Sequence, residues 1–211
     1  MEVRTFNKKT LNNIINILSE TYEGAQCGLV FNSSFELLVA TMLSAQCTDE
    51  RVNIITKPLF EKYNTPQSMI QLSQLELGEI IKSCGLYKNK SKNIISTSKS
   101  IIEEYNGEVP NTFEELIKLS GVGRKTANVV LANAFNVPTI AVDTHVFRLA
   151  NRIGLSKGNT PDKVEQDLMK SIPKEKWIQM HHYLIWHGRK ICKARKPQCE
   201  TCPIALYCEY F

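Results

Sequence analysis

Apolar side chains recur along this chain at spacings of three and four, the period of a helix with one buried face. In "FNKKTLNNIINILSETY", Leu11, Ile14, Ile15 and Leu18 fall on one such face. Polar punctuation sets the helix ends. Ser33 with Glu36 has the spacing of a capping box ahead of "FELLVATMLSAQC", Ser73 with Glu76 repeats it before "LELGEIIKSC", and Thr112 with Glu115 makes a third. Thr48 is placed to cap "DERVNIITKPLFEKY", while Thr65-Pro66 and Thr160-Pro161 open two more helices, because the donor that proline lacks is not needed in a first turn. Gly85 suits the left-handed residue that ends a helix, and "KSKNIISTSKSIIEEY" is stopped at Asn106 and Gly107. "KEKWIQMHHYLIWHG" continues the helical pattern near the carboxyl end. Only "VPTIAV", residues 137–142, reads as extended, and one short run cannot build a sheet. The pattern predicts an all-α protein. With no repeat, low-complexity segment or Gly/Ser linker, any two domains are expected to pack closely.

One helical pair is unusual. In "FEELIKLSGVGRKTANVVLANAF", patterns over Phe113–Leu119 and Arg124–Phe135 are joined by Gly121-Val122-Gly123, which leaves room only for a tight hairpin. Glycine on both flanks relieves the cost of positive φ and lets another backbone come close. Exposed N–H groups at the hairpin and the second helix's N-terminus form a site for one anion, such as a DNA phosphate. The same spacing also suits an αα turn whose glycines serve only packing.

Composition narrows the setting. At 211 residues, with 43% hydrophobic and 22% charged side chains, the chain can bury one core or two small ones. Lys and Arg outnumber Asp and Glu by 26 to 21, a formal +5, which mildly favours an anionic partner. No apolar run near the start resembles a signal peptide and none elsewhere approaches a membrane span, so a soluble, intracellular (cytoplasmic) protein is expected. Disulfides are rare in that setting, and seven cysteines are an odd number. Cys27, Cys47 and Cys84 lie among apolar neighbours and read as buried thiols. Cys192, Cys199, Cys202 and Cys208, separated by six, two and five residues in "CKARKPQCETCPIALYC", read as ligands. Zinc and iron-sulfur clusters both use four cysteines, although zinc ribbons usually offer two Cys-x2-Cys knuckles and only one stands here.

"LSGVGRKTANVVL", "VDTHVFRLANR" and the cysteine spacing together resemble the endonuclease III family, bifunctional DNA glycosylases of the helix-hairpin-helix superfamily. "LLVATMLSAQCTD", "GLYKNK" and "HHYLIWHGRKICKARKPQC" also match in order, so the resemblance spans nearly the whole chain. It implies two helical domains with a DNA-binding cleft between them. Residues 27–138 would form a six-helix domain with the helix-hairpin-helix at about 113–135, and residues 1–26 with 139–211 a cluster domain whose loop is 192–208. It also implies a 4Fe-4S cluster on Cys192, Cys199, Cys202 and Cys208. Four thiolates around a 2+ core add about −2, so the loaded protein would carry about +3. Lys193, Arg195 and Lys196, which read otherwise as solvated surface or as counter-charge to the thiolates, would face DNA phosphates. The cluster would then staple a basic loop without itself reacting.

The resemblance assigns the chemistry to Lys125 and Asp143. Base removal followed by strand cleavage needs a nucleophile that attacks the sugar C1′ and stays attached, and an amine does so as a Schiff base that promotes β-elimination. The amine must first lose its proton, which burial, nearby cations and a helix N-terminus favour. Without the motif, Lys125 reads as a phosphate-contacting or solvated residue and Asp143 as the N-cap of "THVFRLANR". By resemblance, Asp143 assists the attack and stabilises positive charge on the sugar, and a cap is compatible with that. Gly121, Val122, Gly123 and Arg124 would hold DNA. His145 resembles an active-site or DNA-contacting histidine, with a structural hydrogen bond as the alternative; His181, His182 and His187 read as structural. The damaged nucleotide must leave the stack, and Gln46 and Leu86 match the pair that fills the gap. Otherwise Leu86 is the apolar contact after a glycine cap and Gln46 the polar end of a helix. Cys47 departs from the small residue, such as Ala, common there in the family.

The expected substrate is duplex DNA with an oxidised pyrimidine or abasic site, acted on by a monomer. A monofunctional adenine mismatch glycosylase shares hairpin, aspartate and cluster but lacks lysine at 125 and usually has a further domain, whereas this chain ends three residues after Cys208. A non-enzymatic, metal-stapled DNA-binding module would explain the cysteines and basic loop but not Lys125 with Asp143.

Overall fold

The computed structural model describes residues 8–211. The start of the first expected helix, and the N-terminal residues read for a signal peptide, lie partly or wholly outside them. Eleven α-helices are present among the described residues: α1 (Lys8–Thr21), α2 (Ser34–Leu43), α3 (Asp49–Phe60), α4 (Pro66–Met69), α5 (Gln74–Ile80), α6 (Tyr87–Glu104), α7 (Phe113–Leu116), α8 (Arg124–Ala134), α9 (Thr144–Ile153), α10 (Pro161–Ser171) and α11 (Trp177–Lys190). Two short 3-10 turns, Lys82–Cys84 and Lys174–Lys176, join helices, two more, Cys199–Thr201 and Ala205–Tyr207, follow α11, and no strand occurs among the described residues. The fold is all-α. The chain forms two compact units, one of Cys27–Val137 and one of the segment ending at Gln26 with Pro138–Phe211.

In the Cys27–Val137 unit, α2 is the central element. Every residue from Phe35 to Leu43 is buried, Glu36 and Thr41 included, so this helix is enclosed all round, and α3, α6 and α8 pack on it. In the other unit α9 packs on α11 and α10, and α1 lays Leu11, Ile14, Ile15 and Leu18 into the core. Gly188 on α11 permits the approach to α9: a Cβ there would stand 2.8 Å from His145 Nδ1 and 3.0 Å from Arg148 Nη2. The run "VPTIAV" forms neither helix nor strand. Ile140, Ala141 and Val142 are buried, and the His181 ring donates from Nδ1 to the Ala141 carbonyl at 2.9 Å, the bond a neighbouring strand would otherwise make.

Several helix ends differ from the sequence expectation. Ser73 and Glu76 form the full capping box, and Thr48, Thr65 and Thr160 cap as expected. Ser33 accepts from the Glu36 N–H, but the nearly buried Glu36 carboxylate takes the Asn32 N–H at 2.6 Å, one residue earlier than a box requires. Thr112 makes no cap bond to the backbone; its hydroxyl donates to the Glu115 carboxylate at 2.6 Å. Helix α6 begins at Tyr87, three residues before the expected start at Lys90, and Tyr87 packs against the core. Gly85 has positive φ (69°) but extended ψ (158°), and the left-handed residue is Leu86 (φ 50°, ψ 24°).

Candidate active site and cluster loop

The Gly121–Gly123 hairpin joins α7 to α8, and its conformation is set by α6. Asn93, Ser96 and Thr97 share one face of α6 at helical spacing. Ser96 Oγ pairs with Ser120 Oγ at 2.9 Å, Thr97 Oγ1 donates to the Ser120 carbonyl at 2.8 Å, and Asn93 packs under Gly121. The two glycines have different reasons. Gly121 is left-handed (φ 76°), and a Cβ would meet Asn93 Nδ2 at 2.6 Å and Asn93 Cβ at 2.8 Å. Gly123 has φ −95°, and a Cβ would meet nothing within 4 Å. The chain's own packing therefore does not require glycine at 123; the open space is on the outside, where an approaching ligand would be. Val122 points into the core, leaving only its backbone for an outside contact.

Gly123 is the N-cap of α8 and offers no capping side chain, so the first turn of an eleven-residue helix is left to other acceptors. Arg124 stacks its guanidinium 5.0 Å from the Phe113 ring centroid, across the hairpin. Lys125 is the second residue of α8 and exposed.

Gln46 and Leu86 lie on two loops of the same unit, after α2 and before α6. Both are exposed, and both hold left-handed backbones (φ 57° and 50°). Leu86 exposes 55% of its surface, so it is not the apolar contact of a helix cap. Cys84 is buried and Cys27 and Cys47 are half-buried, and none of the three is in a disulfide among the described residues. Burial, then the neighbouring Cys47, pushes the Cys84 thiol up to about 11.

On the other unit Asp143 is the N-cap of α9. Its Oδ1 accepts from the N–H groups of His145 and Val146, both at 2.8 Å, while among the described residues nothing donates to Oδ2. One oxygen fixes the carboxylate and the other remains available. His145 is half-buried against α11, with Nδ1 3.2 Å from Arg148 Nη2. Burial pushes its imidazole below the usual range, with Arg148 and Arg189 reinforcing and Asp143 opposing the shift. His181, His182 and His187 are all buried on α11.

The four carboxyl-terminal cysteines line one hollow of about 350 Å³, counting its open mouth, together with apolar Ile153 and Ile204. Among the described residues no three His, Cys, Asp or Glu side chains converge as on a single metal ion. Four thiols around a hollow, instead of around a point, fit a polynuclear cluster better than one zinc. Burial pushes the Cys202 and Cys208 thiols up, and the neighbouring sulfurs add to it, so a bound cation must hold them as thiolates. Two arginines that the motif reading missed anchor this loop. Arg148 donates from Nε and Nη2 to the Cys192 carbonyl (3.2 and 2.9 Å), and Arg152 donates to the carbonyls of Lys193 (2.8 Å) and Ala194 (3.0 Å) and to Cys192 Sγ (3.4 Å). With the loop's carbonyls drawn to α9, the side chains of Lys193, Arg195 and Lys196 are exposed, and none makes an ion pair among the described residues. The only sequence signal was their i, i+4 spacing in "RLANR", which reads equally as solvated charge.

Residues 39–174 match the family described as HhH-GPD superfamily base excision DNA repair protein, and residues 192–208, from the first of the four cysteines to the last, match the iron-sulfur binding domain of endonuclease III. Endonuclease III of Rickettsia felis is 54% identical over 202 residues, covering 95% of this chain and 94% of the relative. That of Bacillus subtilis is 49% identical over 203 residues, covering 96% and 93%. A solved trapped endonuclease III–DNA covalent intermediate superposes with a TM-score of 0.93 at 48% identity, covering 97% of each chain. With hairpin, capped aspartate and four-cysteine hollow all present, the chain belongs to the endonuclease III family, DNA glycosylases and abasic-site lyases of base excision repair that carry a 4Fe-4S cluster.

Proposed function

We propose that this enzyme removes oxidised pyrimidines from duplex DNA and cleaves the resulting abasic site through a Schiff base on Lys125. The observation that carries the reading is the presence of two groups of opposite charge, one on each unit. One is an exposed lysine in the first turn of a helix whose N-cap offers no side chain; the other is an aspartate whose Oδ1 is held by two backbone N–H groups and whose Oδ2 is available. Lys125 Nζ, as the free amine, attacks C1′; the bond from C1′ to the base breaks, and the base leaves with a proton. Asp143 stabilises positive charge on the sugar as that bond lengthens. The C1′–O4′ bond of the sugar ring then opens, O4′ taking a proton to become a hydroxyl, and the iminium so formed acidifies the C2′ proton. Its removal expels the 3′ phosphate, and water releases the lysine.

The hairpin from Gly121 to Arg124 holds a phosphate, Gln46 and Leu86 fill the gap left by the extruded nucleotide, and His145 borders the pocket. Cys192, Cys199, Cys202 and Cys208 hold the cluster, which supplies four strong bonds closing the loop that presents Lys193, Arg195 and Lys196 to phosphates. A ligating thiolate only accepts hydrogen bonds, so His187 donates from Nε2 to Cys202 Sγ (3.5 Å) and takes the Tyr22 hydroxyl at Nδ1 (2.8 Å). Burial, then the thiolates, pushes the Tyr22 phenol up to about 12, which keeps it a donor. The enzyme works as a cytoplasmic monomer; among the described residues no helix is long and apolar enough to cross a membrane.

The test is borohydride reduction during incubation with a duplex carrying one oxidised thymine, comparing wild type with Lys125→Gln. A covalent adduct in wild type and none in the variant is expected. Base release without an adduct from cluster-loaded wild type would mean a monofunctional glycosylase, and binding without base release a DNA-binding module.

A further inference from the structure

Lys90, in the first turn of α6, is only 6% exposed and has no carboxylate partner among the described residues. Its ammonium donates to three carbonyls, those of Leu43 (2.9 Å), Ala45 (2.8 Å) and Cys84 (2.9 Å). An ammonium has three donors, so every one is used. Leu43 is the last residue of α2, and Cys84 ends the 3-10 turn Lys82–Cys84, so the cation closes carbonyls that two helix ends leave without a partner. Ala45 C=O belongs to the peptide that precedes Gln46, and Cys84 C=O to the peptide two residues before Leu86. One buried charge therefore ties together the two loops that end in left-handed Gln46 and Leu86.

A left-handed backbone at two non-glycine residues persists only where the surroundings over-determine it. Both side chains are exposed, so neither strain serves the core. Resting on the reading of Gln46 and Leu86 as gap-filling residues, we propose that Lys90 is a positioning residue that holds them as one preformed wedge. A preformed wedge removes the cost of ordering two loops from the step in which the nucleotide leaves the stack. Lysine suits this role better than arginine because three carbonyls surround a point, which a planar guanidinium fork does not match.

The test compares cluster-loaded wild type, Lys90→Met and Lys90→Arg on two substrates: a duplex with an oxidised thymine opposite adenine, and one with the same base in a one-nucleotide bulge, already unpaired. Losing the wedge geometry should lower kcat/KM for the paired substrate about 10- to 100-fold, since small misplacements carry penalties of that size. On the bulge the loss should stay within about threefold, because extrusion is already inexpensive. Lys90→Arg should show the same selectivity, more weakly, and carries the comparison alone if Lys90→Met does not fold. Equal losses on both substrates, or no loss on either, would overturn the proposal. The double variant Gln46→Ala, Leu86→Ala separates the underlying reading: wild-type rates on paired substrate from that protein would remove the wedge itself, whatever Lys90 does.

Discussion

Gly121 and Gly123 differ by two positions and should fail in different ways. Alanine at 121 must hold φ 76°, which costs about 1–2 kcal/mol for an L residue. Its Cβ also meets Asn93 at Nδ2, Cβ and Cγ, all within 2.9 Å. Because Asn93 Cβ is among these atoms, rotating the side chain does not clear the clash and α6 must shift, an overpacking cost of about 1–3 kcal/mol. Gly121→Ala should therefore destabilise its unit by about 3 kcal/mol, roughly 10 °C in melting temperature. Alanine at 123 keeps an allowed backbone (φ −95°, ψ 176°) and open space, and loses only the N-cap preference for glycine, about 0.5–1 kcal/mol. Its methyl group nevertheless stands where a phosphate would approach. Losing one charge-assisted hydrogen bond there should weaken binding about 10- to 100-fold. The assays are thermal unfolding followed by circular dichroism, and fluorescence anisotropy with a duplex carrying an uncleavable abasic analogue at one fixed salt concentration. A Gly123→Ala protein that binds this duplex as tightly as wild type would refute the phosphate reading. A Gly121→Ala protein of wild-type stability would refute the steric one.

Two further outcomes test the cluster unit. Burial pushes the His182 imidazole down to about 4 from an ordinary 6.5, so between those values the unfolded chain binds more protons than the folded one. Stability from this residue is full above pH 6.5 and falls by about 3 kcal/mol as pH drops to 4; urea titrations at pH 7 and 4.5 should show a smaller pH dependence for His182→Gln, and an unchanged one would refute the assignment. Arg148→Met leaves the Cys192 carbonyl without its two charged donors, at about 1.5–3 kcal/mol. The cluster's visible absorbance should then bleach faster under a chelator than in wild type, and equal rates would show that the loop does not depend on Arg148.

The helices were legible in the chain because their causes are local. Apolar spacing on α1, the Ser73–Glu76 box and the Asp143 cap each depend on residues within a turn or two of one another. The cysteine spacing and the glycine hairpin were equally visible, since both chemistries need particular residue types at short separations. What the sequence left open was decided by contacts between segments far apart in the chain. Gly121 is explained by Asn93 on another helix, while Gly123 is explained by nothing within the chain, although in sequence the two look alike. Arg148 and Arg152 read as surface charge until the loop's carbonyls were brought to them. Lys90 is the extreme case: a lysine in "GLYKNK" is solvated by default, and only the tertiary structure gathers three carbonyls from two distant loops around it. Local sequence determined which elements form and what chemistry they carry; long-range packing decided which polar groups meet, because a buried donor or charge must find its partner wherever the fold supplies one.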